Sequence, residues 1–406
     1  MLTHDLVFTS HAFTEMIRRL SSPGHDQERL PCGVSRMPDH WEWLVSGSGE
    51  KATDSPAVLV VRGTHPEMLA DAVRTTASHE PDGNDVILGV GIGPAAGHFA
   101  GMIRSQHKIA ELGVVRVIAP GLPRLTLGSP RFDRPSQFAS ADRVRFSRSI
   151  GALGEGAFDR LRSLRIAVVG CGRTGSLVVD HIAAYGVTGL TLIDPDVMER
   201  HNLGEMVGEL DATLERPKAT ALAERVLRRG LGTDVTAVTA PVQSLDALFA
   251  LKHSDVLVSC PDNPVARIAT ASVAALYLKP VLDLGTGILR ARTGRETGLD
   301  VRWLLPGRCV SCVGGQRSAM SEPPRLGSLR SLNTWAVGLG FTLLEQFISG
   351  VVTDSVWVQG NVEADGVPRS SRVNLTPGWG CRVCAVAGRG DEGLRHLETI
   401  LHEMRA

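Results

Sequence analysis

An apolar stretch, Leu164–Val169, runs directly into Gly170-x-Gly172-x-x-Gly175, and the residues after the last glycine take up helical spacing. Few features restrict a fold as tightly. The glycines permit a tight turn, let backbone N–H groups approach an anion and seat a helix N-terminus against it; a strand must therefore precede the loop and a helix follow it. About 20 residues on, Asp194 closes the next apolar stretch, Leu190–Ile193, where a carboxylate can accept hydrogen bonds from ribose hydroxyls. Strand, loop, helix, strand and acid together predict a doubly wound, Rossmann-like α/β sheet that binds a nucleotide. By itself the loop first suggests a dinucleotide, and it leaves the identity of the nucleotide open.

The same alternation extends in both directions. Downstream, a helix is expected over Lys218–Arg229, strands over Asp234–Val242 and Val256–Ser259, a helix over Pro264–Leu278 and a strand over Val281–Leu284. The final third adds a strand ending near Leu305, a helix at about Leu332–Ser349, strands around Ser355–Val362 and Arg369–Leu375, and a C-terminal helix. Upstream, Ala57–Val61, Val86–Val90 and Val114–Ala119 read as buried strands, with helical stretches around His65–Ser78 and His98–Leu112. Residues 121–143 are rich in Pro, Ser, Gly and Arg without an apolar period, as in a linker. Three segments result: a small α/β domain over 1–120, a linker over 121–143 and the nucleotide fold over 144–406. A length of 406 residues suits two domains.

Charge narrows the partners. Lys+Arg and Asp+Glu both number 43, so no net field attracts nucleic acid or an anionic membrane. Nowhere do 18 apolar residues run together, and the first residues show no basic leader ahead of an apolar stretch; the expected location is the cytoplasm. Of seven cysteines, four form two C-x-x-C pairs, Cys309/Cys312 and Cys381/Cys384, while Cys32, Cys171 and Cys260 stand alone. Two such pairs without histidine predict a closed structural Zn²⁺ site, with a redox C-x-x-C as the alternative.

After Asp194 the chain reads IDPDVMERHNLGEMVG, with Asp196, Asn202 and Leu203, and then Lys218 in ERPKATALAERV. VSCPDNPVARI supplies Asp262, Asn263 and Arg267, and RFSRSIGALGEGAFDRL supplies Arg148. In order and spacing these resemble the D-x-D-x-V-x-x-x-N-L…K, D-N-x-x-x-R and leading-helix arginine elements of the ThiF, MoeB and ubiquitin-activating superfamily, over residues of about 145–390. The resemblance implies a ThiF/MoeB-type sheet that takes ATP, with Gly170, Gly172, Gly175, Asp194, Asp196, Asn202, Lys218, Asp262 and Asn263 lining its site. Arg148 and Lys218 would stabilise charge on the phosphates, Asp262 would hold Mg²⁺, and the four paired cysteines would hold zinc. It implies adenylylation of the C-terminal carboxylate of a small ubiquitin-like or sulfur-carrier-like protein or peptide ending in Gly. A homodimer is expected, in which Arg148 serves the neighbouring subunit.

Two departures stand out. The family continues N-L-x-R-Q, whereas Glu205 occupies the place of that arginine, where Arg200 or Arg216 would have to substitute. No cysteine lies between Cys312 and Cys381, so a thioester on this chain is not expected; the crossover stretch carries Ser318, Ser321, Ser328 and Ser331 instead. A catalytically weakened docking scaffold is the alternative these departures suggest, and an NAD-dependent oxidoreductase a more remote one. His98 and His107 read as surface residues, and the first domain as non-catalytic, for dimerisation or cargo docking.

Overall fold

A computed structural model describes residues 3–21, 27–36, 40–46, 57–62, 85–90, 99–105, 108–111, 114–118, 124–126, 140–208, 213–291, 294–313, 325–363, 365–375 and 380–394. Two units are distinguished: residues 1–134 with 275–278 and 385–398, and residues 135–274 with 279–384 and 399–406.

The first unit contains β1 (Thr3–Thr9), α1 (Ser10–Ser21), β2 (Gln27–Pro31), β3 (Gly33–Arg36), β4 (His40–Val45), β5 (Ala57–Arg62), β6 (Asp85–Val90), β7 (Phe99–Ser105), β8 (Lys108–Glu111), β9 (Val114–Ile118) and β10 (Arg124–Thr126). They form two five-stranded sheets, ordered β10-β9-β1-β4-β3 and β2-β5-β6-β7-β8. Helix α1 buries Ala12, Met16 and Leu20, spaced four apart on one face, while Glu15 pairs with Arg18 and Arg19 on the other. That apolar stripe joins Leu6, Phe8, Trp43, Val58, Val60 and Val115 in one core.

Two expectations are corrected in this unit. His98–Leu112, expected as a helix, is the β7–β8 pair, in which Ser105 sits opposite Lys108. Its apolar positions satisfy either period, and antiparallel pairing of β7 with β6 decides between them by engaging the backbone along the whole strand. The stretch read as a linker from residue 121 contributes β10, an edge strand pairing antiparallel with β9. The helices expected at His65–Ser78 and at the C-terminus lie outside the described residues, as do residues 127–139.

The second unit contains α2 (Ser140–Arg145), α3 (Ser147–Leu153), α4 (Glu155–Arg162), β11 (Arg165–Val169), α5 (Arg173–Tyr185), β12 (Gly189–Ile193), α6 (Lys218–Arg228), β13 (Asp234–Val238), α7 (Leu245–Lys252), β14 (Val256–Ser259), α8 (Pro264–Leu276), β15 (Val281–Ala291), β16 (Gly294–Leu304), β17 (Arg325–Gly327), α9 (Arg330–Ile348), β18 (Val356–Val362) and β19 (Pro368–Val373). Strand order is β13-β12-β11-β14-β15-β16-β18-β19, with β17 paired to β15. The first five strands run parallel and the others extend the sheet antiparallel. Strands β11 and β14 are near-continuous apolar runs because helices cover both faces of a parallel sheet. Gly186, left-handed at φ 61°, ends α5. Helix α9 lies so close to β15 that a Cβ on Gly340 would come within 2.9 Å of Leu284. Where Asp234–Val242 was expected as one strand, β13 stops at Val238 and the chain turns toward α7, capped by Ser244 Oγ accepting from Ala247 N–H at 3.2 Å. The order in which strands are added reverses between parallel β11 and β14, which makes their carboxyl ends the switch point where open α/β sheets bind ligands.

Candidate functional site

Above that switch point lies a cavity of ≈ 700 Å³, lined on one side by Gly170 and Gly172 and on the other by Cys260, Pro261 and Asp262. The three glycines do different things. Gly170 has φ +87° and approaches Pro261 so closely that a Cβ would lie 2.9 Å from its nitrogen. On Gly175 a Cβ would fall 1.9 Å from the Gly170 carbonyl, so α5 packs onto the loop only with glycine there. Gly172 meets nothing within 4 Å and is the N-cap of α5, whose first backbone N–H groups favour an anion. A cradle of this shape fits a phosphate chain.

Asp194, buried at the end of β12, accepts from Cys171 N–H at 2.6 Å and from Asp196 N–H at 2.8 Å. Burial raises its pKa, against the lowering effect of those two bonds and of nearby Lys218. Its carboxylate thus ties the glycine loop to the following turn as well as lining the cavity. Lys218 opens α6 with its side chain largely buried, and its Nζ donates to Asp196 at 2.9 Å. The start of this helix is set by Pro217 at its N-cap and by the main-chain bond from Lys218 N–H to the Asp196 carbonyl at 2.9 Å. Asn202 is buried and its Oδ1 accepts from Glu199 N–H at 2.9 Å, which orders the loop between β12 and α6. Asp262 is exposed on the cavity wall and has no ion-pair partner among the described residues. Asn263 caps α8, its Oδ1 accepting from Val265 N–H at 2.8 Å.

Arg148 is not brought to this cavity. It stands exposed on α3, whose residues are all outside the core. Arg200 and Arg216 are also absent from the described lining residues, and Arg216 is committed to Glu224. The basic group that does line the cavity beside the glycine loop is Arg173, which donates to the Ser328 carbonyl at 3.0 Å and lies 3.7 Å from Glu205. Nothing in the spacing of the motif singles out Arg173, since its position is an x between glycines.

Two polar groups, one of them on the cavity wall, were likewise missed. Buried Asp283 takes Arg267 on one oxygen and Arg302 on the other, the latter at 2.9 Å. Burial alone would raise its pKa, but the two guanidinium ions outweigh that and hold it below the ordinary carboxylate range. Asn333 Oδ1 accepts from the hydroxyls of Thr286 at 2.6 Å and Ser328 at 2.7 Å, and all three residues line the cavity. The lone thiols beside the loop are poor nucleophiles: burial pushes Cys260 up to about 12 and Cys171 well above its ordinary value.

The two cysteine pairs meet. Cys309 and Cys381 sulfurs lie 3.5 Å apart, those of Cys312 and Cys384 3.7 Å, and all four fall within 4.8 Å of one another. A tetrahedron of thiolates around zinc has edges of about 3.8 Å for Zn–S bonds of about 2.3 Å, so the set fits that ion. Cys309 N–H also donates to Cys312 Sγ at 3.1 Å. Hydrogen bonding within the cluster holds the Cys312 thiol down to about 6.

Fold and cavity define a nucleotide-binding, doubly wound α/β protein with an antiparallel extension and a four-cysteine cluster. The chain belongs to the ThiF family, whose model matches residues 146–340. It is 37% identical over 215 residues to the SAMP-activating enzyme E1 of Haloferax volcanii, covering 52% of this chain and 71% of that one. It is 27% identical over 174 residues to the adenylyltransferase and sulfurtransferase MOCS3 of Danio rerio, covering 42% of this chain and 37% of that protein, so it spans little more than a third of that relative's length. Among solved structures, E. coli MccB with MccA-N7isoASN aligns over 59% of this chain and 74% of that one, at 18% identity and a TM-score of 0.49. Among the described residues no helix is long and apolar enough to cross a membrane.

Proposed function

We propose that this chain adenylylates the C-terminal carboxylate of a small ubiquitin-like or sulfur-carrier-like protein, or of a peptide ending in Gly, at the expense of ATP. The observation that carries the reading is the convergence of open Gly172, Lys218 and Asp262 on one cavity at the switch point. The incoming carboxylate oxygen attacks the α-phosphorus, the bond to the bridging oxygen of the β-phosphate breaks, and pyrophosphate leaves with that electron pair. Negative charge grows on the transferring phosphate, where Lys218 supplies a compact positive charge and the helix α5 N-terminus its N–H groups. Asp262 offers a hard oxygen donor that would hold Mg²⁺, which would supply positive charge against the phosphates. The exposed setting of Arg148 suits a residue acting on a partner subunit's site in a homodimer. Residues 144–406 form the adenylylating domain in this reading, and residues 1–120 dock cargo or a second subunit.

Transfer from the adenylate goes to an acceptor that this chain does not supply, because no cysteine lies between Cys312 and Cys381 and the loop thiols stay protonated. Two names among the relatives, a SAMP-activating enzyme and an adenylyltransferase and sulfurtransferase, agree with such chemistry. ATP–pyrophosphate exchange with a Gly-ending candidate cargo tests it. Exchange that needs cargo and disappears in Asp262→Ala is the expected result; a chain that binds NADH and shows no exchange overturns the reading.

A further inference from the structure

The geometry points to Arg173 as the guanidinium that grips the phosphate chain in this cavity, with Glu205 as the residue that positions it. The inference rests on the adenylylation reading above and assigns a phosphate contact within it. Arg173 is the first residue of α5 and lines the cavity next to Gly172, where a Cβ would meet nothing within 4 Å. Local helix stability gives no reason for a cation here. The N-terminal end of a helix carries partial positive charge, so a guanidinium in the first turn is disfavoured, and α5 has no acid in that turn to offset it. A residue that breaks a local rule at a cavity wall marks function more often than packing.

Its partners explain the arrangement. One N–H donates to the Ser328 carbonyl at 3.0 Å, which leaves most of the five guanidinium donors for another acceptor. The Glu205 carboxylate stands 3.7 Å away, longer than the roughly 2.7–2.9 Å of a tight charge-assisted bond, so it orients the guanidinium without saturating it. Glu205 is itself presented: its N–H donates to the Asn202 carbonyl at 3.0 Å, and Asn202 is the buried residue that orders this loop. It is absent from the described residues that line the cavity. A glutamate in direct view of phosphates would repel them, whereas one turned on Arg173 supports the cation that binds them. Lys218 with Asp196 repeats the device at 2.9 Å, giving two cations that line the cavity, each leaned on by a carboxylate. Arginine suits the task because its planar fork matches two phosphate oxygens at once.

Calorimetric titration of the full chain with ATP and with adenosine, both with Mg²⁺, tests this. Losing a charge-assisted contact in Arg173→Ala is expected to weaken ATP binding about 10- to 100-fold, while adenosine binding moves less than about twofold. Arg173→Lys should recover part of the loss. Glu205→Gln should raise KM for ATP up to about fivefold in pyrophosphate exchange, leaving kcat for saturating ATP unchanged. Arg173→Glu, which puts a carboxylate on the cavity wall, should abolish ATP binding. Equal losses for ATP and adenosine, or unchanged ATP affinity in Arg173→Ala, overturn the assignment while the adenylylation reading stands. Should Arg173→Ala not fold, Arg173→Gln carries the same comparison. A wild-type chain that binds no ATP overturns both.

Discussion

The cysteine cluster and the nucleotide cavity lie in the same unit and are built on opposite plans. In the cluster every donor is turned inward on a shared centre, with sulfurs at 3.5 and 3.7 Å already spaced for a tetrahedral ion. In the cavity the cations line the wall and lean on at least partly exposed carboxylates, as Lys218 does on Asp196 and Arg173 on Glu205. Preformed, mutually satisfied donors define a part whose loss is read as unfolding. Cations resting on solvated carboxylates define a part that exchanges partners when a polyanion arrives, and its loss is read as lost turnover. Below the cavity, Asp283 between Arg267 and Arg302 belongs to the first kind although Arg267 reaches the cavity wall.

The largest effect expected to expose this division is metal removal. Structural zinc in small sites contributes on the order of 10 kcal/mol of binding free energy at neutral pH, which folding inherits. Chelation or Cys309→Ser should lower Tm by about 10 °C or more, with one zinc per chain lost in elemental analysis. A cluster whose loss leaves Tm unchanged is not of the first kind. Next comes Asp283→Asn, which leaves buried Arg302 and partly buried Arg267 facing a neutral amide and should cost about 3–5 kcal/mol in denaturant unfolding. Because the folded-state pKa of Asp283 is lowered, its contribution is present above the unfolded value of about 3.9 and is lost as pH falls through the lower folded value. Wild-type stability should therefore fall on acidification over that window, and the slope should shrink in Asp283→Asn.

Cavity residues should separate the two readouts. Asp262→Ala is expected to reduce exchange by about 10²–10³-fold, a loss of a few kcal/mol of transition-state stabilisation. Stability should stay within about 0.5 kcal/mol, as for other exposed substitutions away from caps and cores. A fall in Tm that accounts for the lost exchange would place Asp262 with the structural residues and dissolve the contrast.

How much of this was legible depends on whether chemistry or pairing decided it. The glycine loop, Asp194 and the apolar strands β11, β12 and β14 announce themselves because close backbone approach and two-sided burial demand particular residue types at fixed spacing. The cysteine pairs do so because a tetrahedral ion needs two ligands per turn of chain. The first unit was harder to read. Phe99–Glu111 fits helix and hairpin alike, and partner strand β6, distant from any local signal, selects the hairpin. Arg173, Asn333 and the Arg267–Asp283–Arg302 network were hidden for a similar reason: each acquires meaning from a residue on another element. Glu205 read as a defect in the linear motif because Arg173, which faces it, lies on the other side of β12 in sequence.

The smallest expected effect concerns Arg148, and it tests whether the cavity is complete in one chain. Arg148 is exposed on α3 and buries nothing, so Arg148→Ala should leave Tm within about 1 °C. If it serves a second subunit's site, exchange should nevertheless fall about tenfold or more, the scale of one charge-assisted contact to phosphate. Mixing then discriminates. Arg148→Ala chains unfolded and refolded with equal Asp262→Ala chains form random dimers, half of them mixed, and each mixed dimer rebuilds one intact site from the two chains. About a quarter of wild-type exchange should return from two nearly inactive proteins if the residues act across a two-fold interface. No recovery would mean that Arg148 and Asp262 serve the same chain or that Arg148 serves none, and the cavity would have to draw its positive charge from Lys218 and Arg173 alone.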